Sequence, residues 1–365
     1  MLFKKIHKIS IVVLVSLIYT NKALCIEQQS LYRSAEFLGR GDTGISIADN
    51  QEAIFYNPAG TAYGKGIYKR ILVATPMIEL SADTKDLLRK VFVEKKTTPQ
   101  TFLDHIGKNQ HLGIYNLSAI VLRRAAIAGF ASTREDLLVY KSPSDNDRGL
   151  EKIRAESTVN QGIAFNISEQ LFFKDLYLGT TIKYIDQKYA VKEASMVDAS
   201  GIQESLSESE LLKKGTANAV DFGVMYRGSG KSRFSLGINI KNIGNPTFSA
   251  ASGSSAPAAL KQVVNIGFGW NLGTKFSKVR LLLDVQDTSS AVETNIYKKI
   301  HLGADIAFKK VMGLAFGFNQ GYVCFGYYFN AYIFRIDLGS YAEEISKWSG
   351  TRPDSRYFMR IAAGF

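Results

Sequence analysis

The sequence predicts an all-β chain, a transmembrane antiparallel β-barrel of about 14 strands with an N-terminal plug. Three observations point there. Segment after segment alternates apolar and polar residues with a period of two, and the polar face carries full charges. The connections between these segments alternate short and long. Beyond the N terminus no apolar run approaches the ~20 residues of a membrane helix, so a bilayer is crossed by strands.

Residues 1–25 read as a secretory signal peptide: a basic start from Met1 to Lys8, an apolar run from Ile9 to Tyr19, and a more polar tail ending at Cys25. Ala23 supplies the small residue three positions before the cut, and Leu24 before Cys25 argues against a lipoprotein. Cleavage removes Lys4, Lys5, Lys8 and Lys22 and no acid, so the formal charge falls from +12 to +8. The remaining lysines are scattered rather than clustered, which favours anionic lipid headgroups over nucleic acid as neighbours. Only Cys324 stays in the mature chain, which excludes an intramolecular disulfide and a thiolate metal cluster.

The next unit, residues 26–66, is expected to be the plug, or hatch. Its centre, Leu38 to Gly60, places Gly39, Gly41, Gly44 and Gly60 and an Asn57-Pro58 turn around two short apolar runs, and it is too short to bury a core of its own. Gly39, Gly41 and Gly44 spell GxGxxG, but no strand precedes them and no acid stands at dinucleotide spacing. Close backbone packing is the simpler reason for these glycines. With its Tyr56-Asn57-Pro58-Ala59-Gly60 element, the stretch resembles the N-terminal hatch of the long-chain fatty-acid transporter (FadL-type) superfamily of bacterial outer-membrane barrels.

Residues 67–365 are expected to form the barrel. Alternation places strands near 67–81, 110–122, 125–139, 152–167, 175–190, 216–227, 232–243, 260–272, 278–287, 297–308, 311–319, 321–329, 331–339 and 355–365. Twelve or sixteen strands would also fit this alternation; fourteen is the number the resemblance implies. Every second connection is short, among them Arg123-Arg124, Ser168 to Lys174 and Gly228 to Lys231. The alternate connections 82–109, 140–151, 191–215, 244–259, 288–296 and 340–354 are longer, and Gln320 breaks the pattern. A soluble β-sandwich or solenoid would also alternate, but it gives no reason for alternating loop lengths. The inward face carries Lys183, Asp221, Arg233, Lys241, Arg280, Asp284, His301, Asp305, Arg335, Asp337 and Arg360. In the long loops, Asp83 to Ile106 and Gln203 to Lys214 look partly helical, and Ile243 to Pro257 looks mobile.

The chain ends with Tyr357, Met359, Ile361, Ala363 and Phe365 on one face, similar to the sorting strand that outer-membrane barrels present to their assembly machinery. Lys241 to Pro246, KNIGNP, resembles barrels of the wider superfamily, including PorV-like partners of secretion systems. The expected location is thus the outer membrane of a Gram-negative-type bacterium, with outer-membrane lipid and the barrel-assembly machinery as partners.

No HExxH, GxSxG or paired-cysteine motif accompanies His105, His111 or His301, so neither enzyme chemistry, nor a cofactor, nor a metal is expected. The resemblance implies passive transport of hydrophobic small molecules such as long-chain fatty acids; the alternative is a non-transporting scaffold or binding barrel for a secreted protein or secretion system. It also implies a sideways exit at a kink in the third strand, where Ser132, Thr133, Arg134, Glu135 and Asp136 interrupt the apolar alternation. A strand end near the headgroups accounts for the same charges.

Overall fold

The computed structural model describes residues 30–63, 68–90, 94, 104, 106–141, 151–195, 212–228, 234–273, 277–309, 311–331, 333–346 and 348–364. The signal-peptide residues, His105, Arg233, residues 203–211 of the helix expected over Gln203 to Lys214, and Phe365 lie outside the described residues, while Leu212 to Lys214 open a strand instead of ending that helix.

The strands are β1 (Tyr68–Ala74), β2 (Met77–Ser81), β3 (Asn109–Leu122), β4 (Ala125–Lys141), β5 (Glu151–Gln170), β6 (Leu176–Ser195), β7 (Leu212–Arg227), β8 (Phe234–Lys241), β9 (Ser249–Ala250), β10 (Val263–Gly273), β11 (Ser277–Val285), β12 (Ile300–Phe308), β13 (Met312–Asn319), β14 (Tyr322–Ala331), β15 (Phe334–Glu344) and β16 (Pro353–Gly364). All pairings are antiparallel between neighbours in sequence, and β16 returns to pair with β1 and β2. β1 and β2 both lie between β16 and β3, so they are two halves of one stave, and the two-residue β9 only flanks β7. Merging the first pair and setting β9 aside leaves a closed barrel of fourteen staves, each at a place the alternation predicts.

Along the staves the apolar residues point outward. In β16, Tyr357, Met359 and Ile361 are exposed, while Arg356, Phe358, Arg360 and Ala362 are buried in the lumen. Ile163, Phe165 and Ile167 of β5 and Phe234, Leu236 and Ile238 of β8 continue the same outer belt. A charge at the bilayer midplane would cost ~2–4 kcal/mol, which is why this band excludes lysine and arginine. The belt makes the barrel membrane-spanning. At one rim the connections are short, and at the other lie the long loops and the tight Gln320-Gly321 turn. Both turn residues have positive φ, 53° and 91°, as a two-residue hairpin of this hand requires.

The third stave corrects the kink expected at Ser132 to Asp136. β4 pairs with β3 and β5 along both edges without a register shift, through Ser132↔Asn160, Arg134↔Gly113 and Asp136↔His111. Alternation also persists: Ser132 and Arg134 are buried inward and Glu135 is exposed. The outward neighbours here are polar, with Ser157 donating to Glu135 at 2.7 Å and Gln161 to Asp186 at 2.9 Å. This part of β4 to β6 rises past the apolar belt, so its charges meet water. The interrupted stave is the first. Pro76 cannot donate to the ladder, and Thr75 closes the gap, its amide donating to Asn116 Oδ1 at 3.0 Å and its hydroxyl to the Leu117 carbonyl at 3.1 Å.

Two loop expectations change as well. The first long loop opens as helix α3 (Ala82–Leu88; the hatch helices α1 and α2 precede it and are described below), with Ser81 Oγ accepting from Thr84 N at 3.1 Å. The Ser/Ala/Gly-rich segment 243–257, expected to be mobile, is stitched to β7: Ala251 N donates to Lys214 O and Lys214 N to Ser255 O. Phe248 is buried against the hatch.

Candidate functional site

Residues 30–63 thread the lumen as a hatch with few long elements of its own. Helix α1 (Ala35–Leu38) is followed by a glycine path, then by helix α2 (Ala53–Tyr56) and a 3-10 turn over Pro58–Ala62. Four residues cannot sustain an isolated helix, so the wall must hold the path in place. A Cβ at Gly39 would lie 2.6 Å from Gly326 Cα, and one at Gly60 would lie 1.7 Å from the Ala48 carbonyl oxygen. Glycines on the wall meet these approaches from the other side. Gly179 and Gly223 face Pro58, Gly237 and Gly267 face Ile45, and Gly303 and Gly317 face Arg40 and Gly41. Each couple is a directly paired position in adjacent staves, so the wall carries a band without side chains where the hatch lies.

Asn57 and Pro58 make the corner. Asn57 is fully buried and extended, as the residue before proline prefers. Its Nδ2 donates to Ile45 O at 2.8 Å and to Val224 O at 3.1 Å, and its Oδ1 accepts from Ala59 N at 3.2 Å, capping the 3-10 turn. One side chain thus joins two parts of the hatch to β7.

Charge pins the rest. Arg40 reaches Asp305 at 2.6 Å, Arg335 reaches Glu36 at 3.2 Å, Arg360 bridges Glu52 at 2.7 Å and Asp337 at 2.8 Å, and Arg33 reaches Glu343 at 2.9 Å. The Asp284 carboxylate accepts from the amides of Gly44 at 2.7 Å and Ile45 at 3.0 Å. Removing one partner of such a buried pair costs ~3–5 kcal/mol, because the other charge is left in a dry site. Burial by itself would raise the Glu36 carboxyl, but Arg335, Arg40, Arg280 and Arg360 hold it well below the usual carboxylate range.

The lumen is two-sided. Towards β3 to β7 part of the wall is small and apolar, through Ala119, Ala126, Ala128, Ala164, Ala217 and Ala219, and it packs on Tyr32, Ile54 and Phe55 of the hatch, while the same staves also carry the Lys183–Asp221 pair and Arg227, which reaches Asp49 of the hatch at 2.7 Å. Phe55 meets Phe130 edge-on at 5.3 Å between centroids. Towards β8 to β16 the wall is ionic. Between hatch and wall, at the long-loop rim, lies a cavity of about 150 Å³ bordered by Leu31, Phe55, Tyr56, Lys183, Asp221, Lys241, Leu260, Val263, Asp287, Lys298, Lys299, Glu343 and Glu344.

No family model matches the sequence, and no curated protein matches it. Solved structures do. The toluene transporter TodX of Pseudomonas putida is 12% identical with a TM-score of 0.50, over 94% of this chain and 99% of that one. The monoaromatic hydrocarbon channel CymD is 8% identical with a TM-score of 0.50, over 89% and 95%. The chain has the FadL-type barrel fold.

Within this FadL-type fold, Gly39, Gly41, Gly44, Asn57, Pro58 and Gly60 come together on the hatch, against the glycine band. Ser132 to Asp136 lie apart from them in β4, and Asp136 takes part in a separate buried network: His111 Nδ1 contacts Asp136 Oδ1 at 2.8 Å and His111 Nε2 contacts Glu79 Oε1 at 2.9 Å. Tyr357, Met359, Ile361 and Ala363 share the outer face of β16. His301 points inward with Nδ1 2.8 Å from the Gly41 carbonyl, and Cys324 is buried beside Leu38 and Tyr341. Among the described residues no group of three or more His, Cys, Asp or Glu is arranged to hold a metal ion. Sequence reasoning missed the wall glycines and the carboxylates Asp284, Asp305 and Asp337 as hatch anchors. Inward parity was the available signal for both, since each falls on the polar face of its strand.

Proposed function

We propose that the protein is a passive outer-membrane channel, exported by its signal peptide, that admits hydrophobic small molecules from the long-loop side. One observation carries this reading: a closed barrel of the FadL-type fold is filled by a hatch that is held by ion pairs but meets the wall around Phe55 through a small apolar patch of alanines. An apolar cargo passing between Phe55 and the alanine wall displaces no ion pair. TodX and CymD, which share the fold, are channels for toluene and monoaromatic hydrocarbons by their descriptions, and long-chain fatty acids are the cargo that the hatch motif suggests. The ion-pinned hatch also suits the second reading, a scaffold barrel with no flux. Uptake of labelled toluene and labelled oleate by cells with and without the protein tests the two. Transport requires faster uptake of at least one label with the protein present; equal uptake of both leaves the scaffold.

A further inference from the structure

The fold sorts charge between the two rims. The short connections, 123–124, 171–175, 228–233, 274–276, 309–311 and 332–333, together hold eight lysines and arginines and one acid, Asp175. The connections at the opposite rim, 82–108, 142–150, 196–211, 242–262, 286–299, 320–321 and 345–352, hold twelve of each sign. Bases scattered along the sequence are thus gathered at one end of the barrel, because every second turn returns there. They also run around it: five successive short turns, from Arg123-Arg124 to Lys309-Lys310, each carry at least one. Among the described residues of these turns Arg124, Lys174 and Lys309 are exposed, and of the three only Arg124 has an ion-pair partner, Glu169 at 3.1 Å. The same rim carries an apolar tip. Ile163, Phe165 and Ile167 of the outer belt lead along β5 to Leu171-Phe172-Phe173, where both phenylalanine side chains are exposed.

We infer that the short-turn rim is seated on anionic phospholipid, with the bases of the turns on lipid phosphates and the Phe172-Phe173 tip at the boundary between headgroups and acyl chains. A basic collar that runs around the barrel matches a surface that surrounds it, which is a membrane leaflet; a protein partner would call for its counter-charge on one side only. Lysine and arginine close to a bilayer surface are attracted by anionic lipid, and their aliphatic stems can lie along the apolar belt while the charge reaches the phosphates. Aromatic residues gather at the membrane–water boundary of barrels, and this tip continues an apolar face that already meets lipid. Since the opposite rim is balanced, the preference for anionic lipid belongs to one leaflet. The inference needs only that the barrel spans a membrane, and it holds for a channel and for a scaffold alike.

The test is tryptophan quenching in the barrel reconstituted into phosphatidylcholine vesicles, with brominated phosphatidylglycerol or brominated phosphatidylcholine added at equal mole fraction. Trp270 is exposed on the outer face of β10, near its short-turn end, and Trp348 lies in the last long connection, so Trp348→Phe leaves a reporter at the rim in question. Phosphatidylglycerol is favoured there at least twofold. In a Trp270→Phe, Trp348→Phe background, Phe172→Trp gives a blue-shifted emission with the same preference. That preference falls towards one when Arg123→Gln, Arg124→Gln and Lys174→Gln are combined, and Lys85→Gln at the other rim leaves it unchanged. Heat-dependent gel migration checks that each variant is folded. Equal quenching of Trp270 by the two lipids would overturn the assignment and leave an acidic protein as the occupant. A preference kept in the triple glutamine variant, or a water-exposed and unquenched emission from Phe172→Trp, would also overturn it. The readout involves no flux, so it stands or falls apart from the uptake assay.

Discussion

At Asn57 the fold depends on one amide that is buried and fully used: both its donor and its acceptor hold the hatch corner. Leucine has similar bulk and none of these bonds, so Asn57→Leu leaves the carbonyls of Ile45 and Val224 short of a donor, at ~1–3 kcal/mol each. The barrel ladder does not pass through Asn57 and should still form. The expected outcome is a folded, heat-modifiable barrel with increased leak of small polar solutes in a liposome-swelling assay. Glu36 gives a pH prediction. A carboxyl whose folded value is depressed contributes stability that is present above its ordinary titration range and is lost only as pH falls through the folded value. Because Arg335 and Arg40 hold Glu36 below that range, Glu36 stays ionised at pH 7 and at pH 5, so the extra leak that Glu36→Gln causes over wild type should be the same at the two. An excess leak of Glu36→Gln over wild type that disappears at pH 5 would contradict this ion pairing. The sequence allowed Asn57 to be singled out because Asn-Pro has strong local preferences. It gave no way to see the Val224 carbonyl as its partner, since a backbone contact between distant parts of the chain leaves no local pattern.

At the scale of elements, the staves were legible where lipid imposes alternation and became illegible where it does not. β5 and β6 are each 20 residues long, and their upper halves carry outward polar residues such as Ser157, Gln161 and Asp186, so alternation fades while pairing continues. The same effect made the charges of β4 look like an interruption. The true interruption at Thr75-Pro76 was hidden inside one apolar run. The band of wall glycines yields a prediction at this scale. A Cβ at Gly317 would lie 2.5 Å from the backbone of Arg40 and Gly41, whereas outward Gly129 has no neighbouring atom within 4 Å of such a Cβ. Gly317→Val should therefore displace the hatch and raise solute leak several-fold while the barrel keeps its heat-modifiable migration. Gly129→Ala should change neither reading.

For the whole molecule, orientation follows from how the barrel is filled and rimmed. The hatch enters from the short-turn rim, because β1, which follows it, starts there, and β16 ends on the same side. Short turns such as the one between β3 and β4 present little backbone to a partner or a protease, whereas the connections 82–108 and 196–211 are long enough to enter a protease cleft. Outer-membrane barrels keep short turns on the periplasmic side and long loops outside. Protease added to intact cells should then cleave within 82–108 or 196–211 and spare 228–233, while the same protease added to permeabilised cells should reach both rims. Because the fourteen staves close on themselves, fragments cut only in the loops should stay associated until the sample is boiled. Cleavage at 228–233 in intact cells, with the long loops protected, would invert the barrel.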